Sequence, residues 1–112
     1  MANIENINLN GVNNKIVDST SHSDTFGNTV DISSYTSSNQ YTCPSDGYFL
    51  VQPSDTVGHE VVGVVNGSPL LACVTSTANE PPIASLYVRK NMKLYSNVVG
   101  EHNAIYFIPV IN

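Results

Sequence analysis

The sequence predicts an all-β protein built as a small β-sandwich. Fourteen Val, eight Ile and eight Thr stand against five Ala and six Leu among the 112 residues. β-Branched side chains lose rotamer freedom in helices and pack well on pleated sheets. Apolar runs also recur at a spacing of roughly 8–12 residues, and turn residues such as Asn-Gly separate them. This spacing is typical of sandwiches and barrels.

Charge and composition exclude several classes of partner. The chain has four Lys and Arg residues, nine Asp and Glu residues and a net charge of −5. So few cations cannot neutralise many phosphates, and we therefore expect no nucleic-acid binding. Fourteen Asn and thirteen Ser supply a neutral polar surface instead. Surfaces of this kind are common on extracellular β-proteins, fibres and virion proteins.

The sequence also predicts no membrane insertion. Met1 is followed by polar Ala-Asn-Ile-Glu-Asn, without the basic and apolar regions of a secretory signal peptide. No apolar run approaches the roughly 20 residues that span a bilayer. We expect a protein that is made in a cytosol and stays soluble or is built into something larger.

Residues 1–18 predict an N-terminal β-hairpin or extended arm. Ile7 and Leu9 alternate with asparagines, and Asn10-Gly11 supplies a hairpin turn before Val12. A two-stranded hairpin alone is marginally stable in water, so this segment needs a partner surface. Residues 19–40 are rich in Ser, Thr, Asn and Asp, which predicts an exposed polar linker, and Val30 and Ile32 alternate within it and can form one short strand.

Residues 41–112 carry the predicted core. Here Pro44 and Gly47 provide a turn that opens a strand and sets its register, with Tyr48 and Leu50 on one face. Asn66-Gly67 predicts a hairpin, and Pro81-Pro82 forces a loop. The predicted strands are Gly47 to Val51, Glu60 to Val65, Pro69 to Val74, Ile83 to Val88, Met92 to Val98 and Ala104 to Ile111.

The last strand is apolar on both faces. In AIYFIPVI one face holds Ile105, Phe107, Pro109 and Ile111, and the other holds Tyr106, Ile108 and Val110. A strand buried on both sides needs two packing partners. One face can fill the core and the other can pack on neighbouring subunits, although a strand central to one thick core is the alternative. Pro109 cannot donate to the ladder and predicts an edge or a bulge there.

No arrangement of residues predicts catalysis or a metal site. His59 and Glu60 are adjacent, as are Glu101 and His102, and strand neighbours point to opposite faces. Nucleophile-elbow and phosphate-loop motifs are absent. Two cysteines and three scattered histidines do not make a zinc spacing. We therefore predict that the protein is not an enzyme and binds no cofactor, and leave open whether Cys43 and Cys73 pair.

Four motifs suggest a family. YTCPSDGYFLV, then VVNGS, then VRKNMKLY and finally AIYFIPVI together resemble the C-terminal knob domains of phage fibre proteins, which are similar to jelly rolls of the C1q and tumour-necrosis-factor type. The resemblance covers residues 41–112. It departs from the family pattern at Cys43, where a small residue is usual, and at Asn91, where glycine is usual. Asn91 can also adopt a left-handed conformation.

The resemblance implies a phage virion protein. We predict a short homotrimeric head fibre or capsid decoration protein, assembled in the host cytoplasm and located in the virion. The jelly-roll-like knob would trimerise through Tyr106, Ile108 and Val110. The N-terminal arm would attach to another virion protein of the capsid or tail, through the four residues Ile4, Ile7, Leu9 and Val12.

A glycan-binding knob of a tail fibre is the alternative. Tyrosines among polar residues can stack on sugars, as in lectins. The four residues expected to contact a host surface glycan are Tyr35, Tyr41, Asn79 and Glu80. Packing in the core or at an interface is the simpler explanation for most of the six tyrosines.

Overall fold

The structure is a computed structural model, and it describes residues 7–9, 12–14 and 25–111. The regular secondary structure of these ranges is entirely β-strand, which confirms the all-β prediction. In chain order the strands are β1 (Ile7–Leu9), β2 (Val12–Asn14), β3 (Thr25–Phe26), β4 (Val30–Asp31), β5 (Tyr41–Thr42), β6 (Gly47–Pro53), β7 (Glu60–Val65), β8 (Ser68–Val74), β9 (Ala84–Val88), β10 (Lys93–Val99) and β11 (His102–Ile111).

Two antiparallel sheets pack as a jelly-roll-like sandwich. In the first, sheet I, the strand order is β3-β11-β6-β9, and β4 also pairs with β11. In the second, sheet II, the order is β5-β10-β7-β8. From β5 onward the chain passes from one sheet to the other at every connection except the β7–β8 hairpin. Such repeated crossing between two sheets is the pattern of a jelly roll.

The core lies between the two sheets. Phe49 from β6 and Phe107 from β11 are fully buried and face each other in register, and Leu94 from β10 is fully buried as well. The remaining core residues include Val51, Val61, Val65, Val88 and Ile105. The burial pattern of β6 alternates along its whole length, as the sequence predicts for a strand with one face in the core.

Residues 25–42 belong to the sandwich rather than to an exposed linker. The structure places β3 and β4 beside β11, and β5 beside β10. Ile32 is fully buried in the core and donates its backbone N–H to the carbonyl of Ile105. The knob therefore begins before residue 41, and the predicted linker contributes two short strands.

Local turn chemistry produces the hairpins as predicted. Val65 pairs with Ser68, and φ is 50° at Asn66 and 82° at Gly67. Two successive positive φ angles define the tight hairpin turn that Asn-Gly favours. At the N-terminus Leu9 pairs with Val12, so β1 and β2 form the predicted hairpin. The six predicted strands after residue 46 are all present, within one or two residues at each end.

The edge or bulge expected at Pro109 is not found in β11: this inner strand pairs Pro109 regularly with Gly47 of β6, and its register shift lies between His102 and Ala104. Phe107 pairs with Val30, and Val110 pairs with Phe26. Three steps along β11 therefore match four steps along the segment that joins β3 to β4, so the extra residue lies in that segment and not in β11. The alternation of the last strand ends at this irregularity. Ile111, expected on the core face, is 52% exposed.

Candidate functional site

An apolar surface covers the side of sheet I that faces away from the core. Phe49 and Phe107 point inward, so Tyr48, Tyr106 and Ile108 lie on the opposite side. Ile108 pairs with Tyr48, which pairs in turn with Tyr87. We call this surface the outer face of sheet I; it consists of Phe26, Tyr48, Leu50, Tyr87, Tyr106 and Ile108.

Three aromatic rings form a row across this face. The ring centroids of Phe26 and Tyr48 are 6.2 Å apart, and those of Tyr48 and Tyr87 are 5.3 Å apart at an interplanar angle of 66°. Tilted pairs at these distances are favourable. Phe26 is nevertheless 55% exposed and Tyr87 46% exposed in the single chain. Contiguous apolar surface of this kind marks interaction sites in soluble proteins.

The predicted trimer residues lie on this surface to different degrees. Tyr106 and Ile108 are half-buried and lie at its centre, between Leu50 and Tyr48 of β6 and the strands on the other side. Val110 is only 7% exposed, because its own chain already covers it. It therefore has little surface to offer a partner. Phe26 and Tyr87 were not among the predicted interface residues, and each lies on a strand remote from β11 in sequence.

The outward side of sheet II has a different character. Glu60 pairs with Val99 and with Val74, while Lys93 pairs with Thr42. Asn97 pairs with Val62. Charged and amide side chains thus interrupt the valines, and Val99 is 61% exposed among them. On sheet I, Asp31 pairs with Tyr106 and Ser85 pairs with Leu50, so polar side chains also border the outer face of that sheet.

Asp46 holds together two of the motifs that suggested the family. Its Oδ1 accepts the backbone N–H of Lys90 at 2.9 Å, and its Oδ2 accepts the hydroxyl of Tyr87 at 3.1 Å. The Nε of Arg89 lies 3.5 Å from Oδ1. The Lys90 N–H, helped by the Tyr87 hydroxyl and the Arg89 charge, lowers the pKa of Asp46. The turn before β6 is thereby tied to the turn after β9.

The backbone of these two turns is tied as well. Asn91 donates its N–H to the carbonyl of Cys43 at 2.8 Å, and Cys43 donates to the carbonyl of Met92 at 2.9 Å. Asn91 has a φ of 75°, the left-handed conformation expected where the family has glycine. Gly47 is needed because two strands approach closely there, and not because of a positive φ angle. A Cβ there would meet the backbone oxygen of Ile108 and would lie 2.6 Å from Cζ of Phe107.

The opposite end of the sandwich is closed by a histidine. Nδ1 of His59 lies 2.5 Å from Oγ of Ser54 and accepts the backbone N–H of Glu101 at 3.1 Å. Because that backbone group can only donate, Nδ1 is the acceptor and the ring proton is on Nε2. Ser54 is 8% exposed, and its Oγ also accepts the N–H of Thr56 at 3.2 Å. These hydrogen bonds link two loops structurally, and they are less consistent with a nucleophile and its general base.

The structure separates the residues predicted to contact a glycan. Tyr35 and Tyr41 pack edge-to-face with centroids 5.2 Å apart, and Tyr41 also packs on Phe107. The backbone N–H of Asn79 bonds to the carbonyl of Asp55, beyond the far end of β6, and Glu80 follows it. The two pairs therefore lie at opposite ends of the sandwich, and one short sugar cannot contact both. Their role in glycan binding stays a prediction.

The predicted attachment residues lie partly outside the described residues. Ile4 falls outside them, whereas Ile7 and Leu9 belong to β1 and Val12 belongs to β2. Those two strands pair with each other as a separate two-stranded sheet. Attachment to another virion protein stays a prediction.

Cysteine and metal chemistry add no further site in residues 25–111. Cys43 and Cys73 are both free thiols. Burial raises the pKa of Cys43 to about 11 and also raises that of Cys73. Within the described ranges no group of three or more His, Cys, Asp or Glu side chains could hold a metal ion. Those ranges also lack a helix that could span a membrane.

Comparison with known proteins adds no relative. No protein-family model, no curated protein and no solved structure matches this chain. The resemblance to phage fibre knobs therefore rests on the motifs in the sequence. The contacts of Asp46 and the φ angle of Asn91 give those motifs a physical role in the sandwich.

Proposed function

We propose that the protein is a structural component of a phage virion, a short homotrimeric head fibre or capsid decoration protein. The observation that carries the proposal is the outer face of sheet I. Tyr48, Tyr106 and Ile108 lie at its centre, and Phe26 and Tyr87 at its rim are about half exposed in a single chain. Burying such a face between copies is favourable by about 25 cal/mol per Å² of apolar surface.

The composition supports assembly as the function. A domain of this size buries only about 60–65% of the surface of its unfolded chain and gains stability from association. Its polar surface is rich in Asn and Ser. In this proposal the β1–β2 hairpin attaches the trimer to the particle, because two strands alone are marginally stable and need a partner surface.

Light scattering after size-exclusion chromatography tests the assembly. We expect a mass three times the 12.1 kDa of one chain. Ile108→Asp places a charge at the centre of the outer face of sheet I and should give a monomer. Val99→Asp is the matched control, because Val99 is exposed on sheet II, and it should leave the trimer intact. A monomeric wild-type protein at micromolar concentration would contradict the proposal.

The location in a virion needs a separate experiment. Gold-labelled antibody against the knob, applied to intact particles that carry this protein, should label the head surface in electron micrographs. Labelling at the tail tip would instead support the glycan-binding alternative. A trimer in solution without any labelled particle would support self-association and reject the virion function.

A further inference from the structure

Apart from Asp31, which lies on β4 opposite Tyr106, the charges of the knob are segregated between its two ends. In residues 25–111 all the Lys and Arg side chains, Arg89, Lys90 and Lys93, lie in or directly after the β9–β10 turn, where Asp46 is the nearest acid. We call this the basic end. The acidic end, at the opposite ends of the strands, carries four carboxylates, from Asp55, Glu60, Glu80 and Glu101.

The turn that presents the cations is held in one conformation. The N–H of Lys90 bonds to Asp46, the N–H of Asn91 bonds to Cys43, and the N–H of Met92 bonds to the carbonyl of Arg89. The side chains of Arg89 and Lys90 project from this fixed backbone into solvent; that of Arg89 is 67% exposed. A partner that binds there does not have to order the backbone, which lowers the entropic cost of binding.

An exposed aromatic ring adjoins the cations. Tyr87 and Arg89 contact the same carboxylate, that of Asp46, from two sides. Tyr87 leaves 46% of its surface exposed on the edge strand β9. The surface therefore combines an apolar ring face, a carboxylate that can accept further hydrogen bonds, and two cations.

We propose that this surface, formed by Asp46, Tyr87, Arg89 and Lys90, binds an acidic polysaccharide of the uronic-acid type. The apolar C–H face of a sugar ring packs on Tyr87, and sugar hydroxyls donate to Asp46. The carboxylate of the uronic acid pairs with Arg89 and Lys90. An acidic polypeptide fits less well, because it has no hydroxyls for Asp46 and its dense charge is repelled by that carboxylate.

The site differs from the glycan contacts expected from the sequence. Asn79 and Glu80 lie at the acidic end, where four carboxylates would repel a uronic acid. Tyr41 packs on Phe107 and is mostly engaged with the core. The new site shares Tyr87 with the rim of the outer face of sheet I, and its three charged residues lie in the turns next to that face.

Three polymers test the proposal on the full chain by isothermal titration calorimetry at low salt. Hyaluronan oligosaccharide alternates a uronic acid with a neutral sugar, dextran is neutral, and polyglutamate is acidic without sugar rings. We expect binding to hyaluronan and much weaker binding to the other two. If polyglutamate binds as tightly as hyaluronan, the surface is a general anion-binding patch and the proposal is overturned. Failure to bind hyaluronan would also overturn it.

Single substitutions test which residues form the hyaluronan-binding site. Arg89→Gln and Tyr87→Leu should each weaken hyaluronan binding about tenfold or more. Glu80→Gln changes one charge at the acidic end and should leave affinity within about twofold. Amide chemical shifts of the wild-type protein should change near residues 87–93, and a response centred on residues 76–80 would overturn the site. Unchanged thermal unfolding of each variant shows that the fold is retained.

Discussion

The two ends of the sandwich are closed by different means. At the basic end one carboxylate, that of Asp46, accepts a backbone N–H from the facing turn, and Gly47 lets two strands approach closely. At the acidic end the imidazole of His59 accepts hydrogen bonds from Ser54 and from the backbone of Glu101. Both ends thus use a side-chain acceptor, and they differ in what a glycine leaves room for: a backbone oxygen and a core ring at Gly47, but the imidazole of His59 at Gly100. Substitutions should therefore be tolerated differently at the two ends.

The largest effect should come from Gly47→Ala at the basic end. A Cβ at this position meets the backbone oxygen of Ile108 and the buried ring of Phe107. Neither can move without shifting a strand, so we expect a loss of about 3 kcal/mol in the free energy of unfolding. Urea unfolding measures it.

Gly67→Ala is the matched control for this substitution. A Cβ at Gly67 meets nothing within 4 Å, although its φ is 82°. Only the cost of a left-handed alanine remains, about 1 kcal/mol. If the two variants lose the same free energy of unfolding, close approach at Gly47 does not determine the stability of the basic end.

A smaller effect should follow His59→Ala at the acidic end. The substitution leaves the Ser54 hydroxyl and the Glu101 N–H without their shared acceptor. We expect a loss of about 2 kcal/mol, reduced by any water that replaces the ring. Thermal unfolding at pH 7.5 measures it.

His102→Ala is the control at the same end. Nδ1 of His102 is buried without a hydrogen-bond partner, so this residue holds no comparable network together. Its replacement should cost less than that of His59. The reverse order would mean that the hydrogen bonds of His59 contribute little to stability.

The turns of the basic end were predictable because their signals are local. Pro44, the Asn66-Gly67 pair and Asn91 each specify a turn through their own backbone preferences. Alternation likewise placed Tyr106 and Ile108 opposite the core. These signals act over two to four residues, which is the range that one sequence reveals.

Contacts between residues distant in sequence were not predictable at either end: Asp46 and Lys90 at the basic end are 44 residues apart. His59 and Glu101 are 42 residues apart. The burial of Ile32 depends on β11, to which its backbone is hydrogen-bonded, and the alternation of Val30 and Ile32 alone does not specify that partner. Phe26 and Tyr87 join the outer face of sheet I only through strand order. Tyr87 could have been identified, because it alternates with Leu86 and Val88 in a predicted strand.

The smallest effect should be a pH-dependent one, from Asp46→Asn at the basic end. The pKa of Asp46 is lowered in the folded protein. Ionised Asp46 therefore stabilises the fold at neutral pH, and this contribution is lost as pH falls through the unfolded and then the folded pKa. The variant should be less stable than the wild type at pH 6, and the difference should start to shrink at about pH 4 and disappear only below the lowered folded pKa.

Added salt distinguishes the two causes of the stabilisation by Asp46, the Lys90 N–H and the Arg89 charge. The Lys90 N–H lowers the pKa more than the charge of Arg89 does. Concentrated salt screens an exposed ion pair but leaves a hydrogen bond from a backbone amide largely intact. Most of the difference between Asp46→Asn and the wild type at pH 6 should therefore survive in about 1 M sodium chloride. A difference that disappears with salt would mean that the Arg89 ion pair, rather than the tie between the two turns, makes Asp46 stabilising.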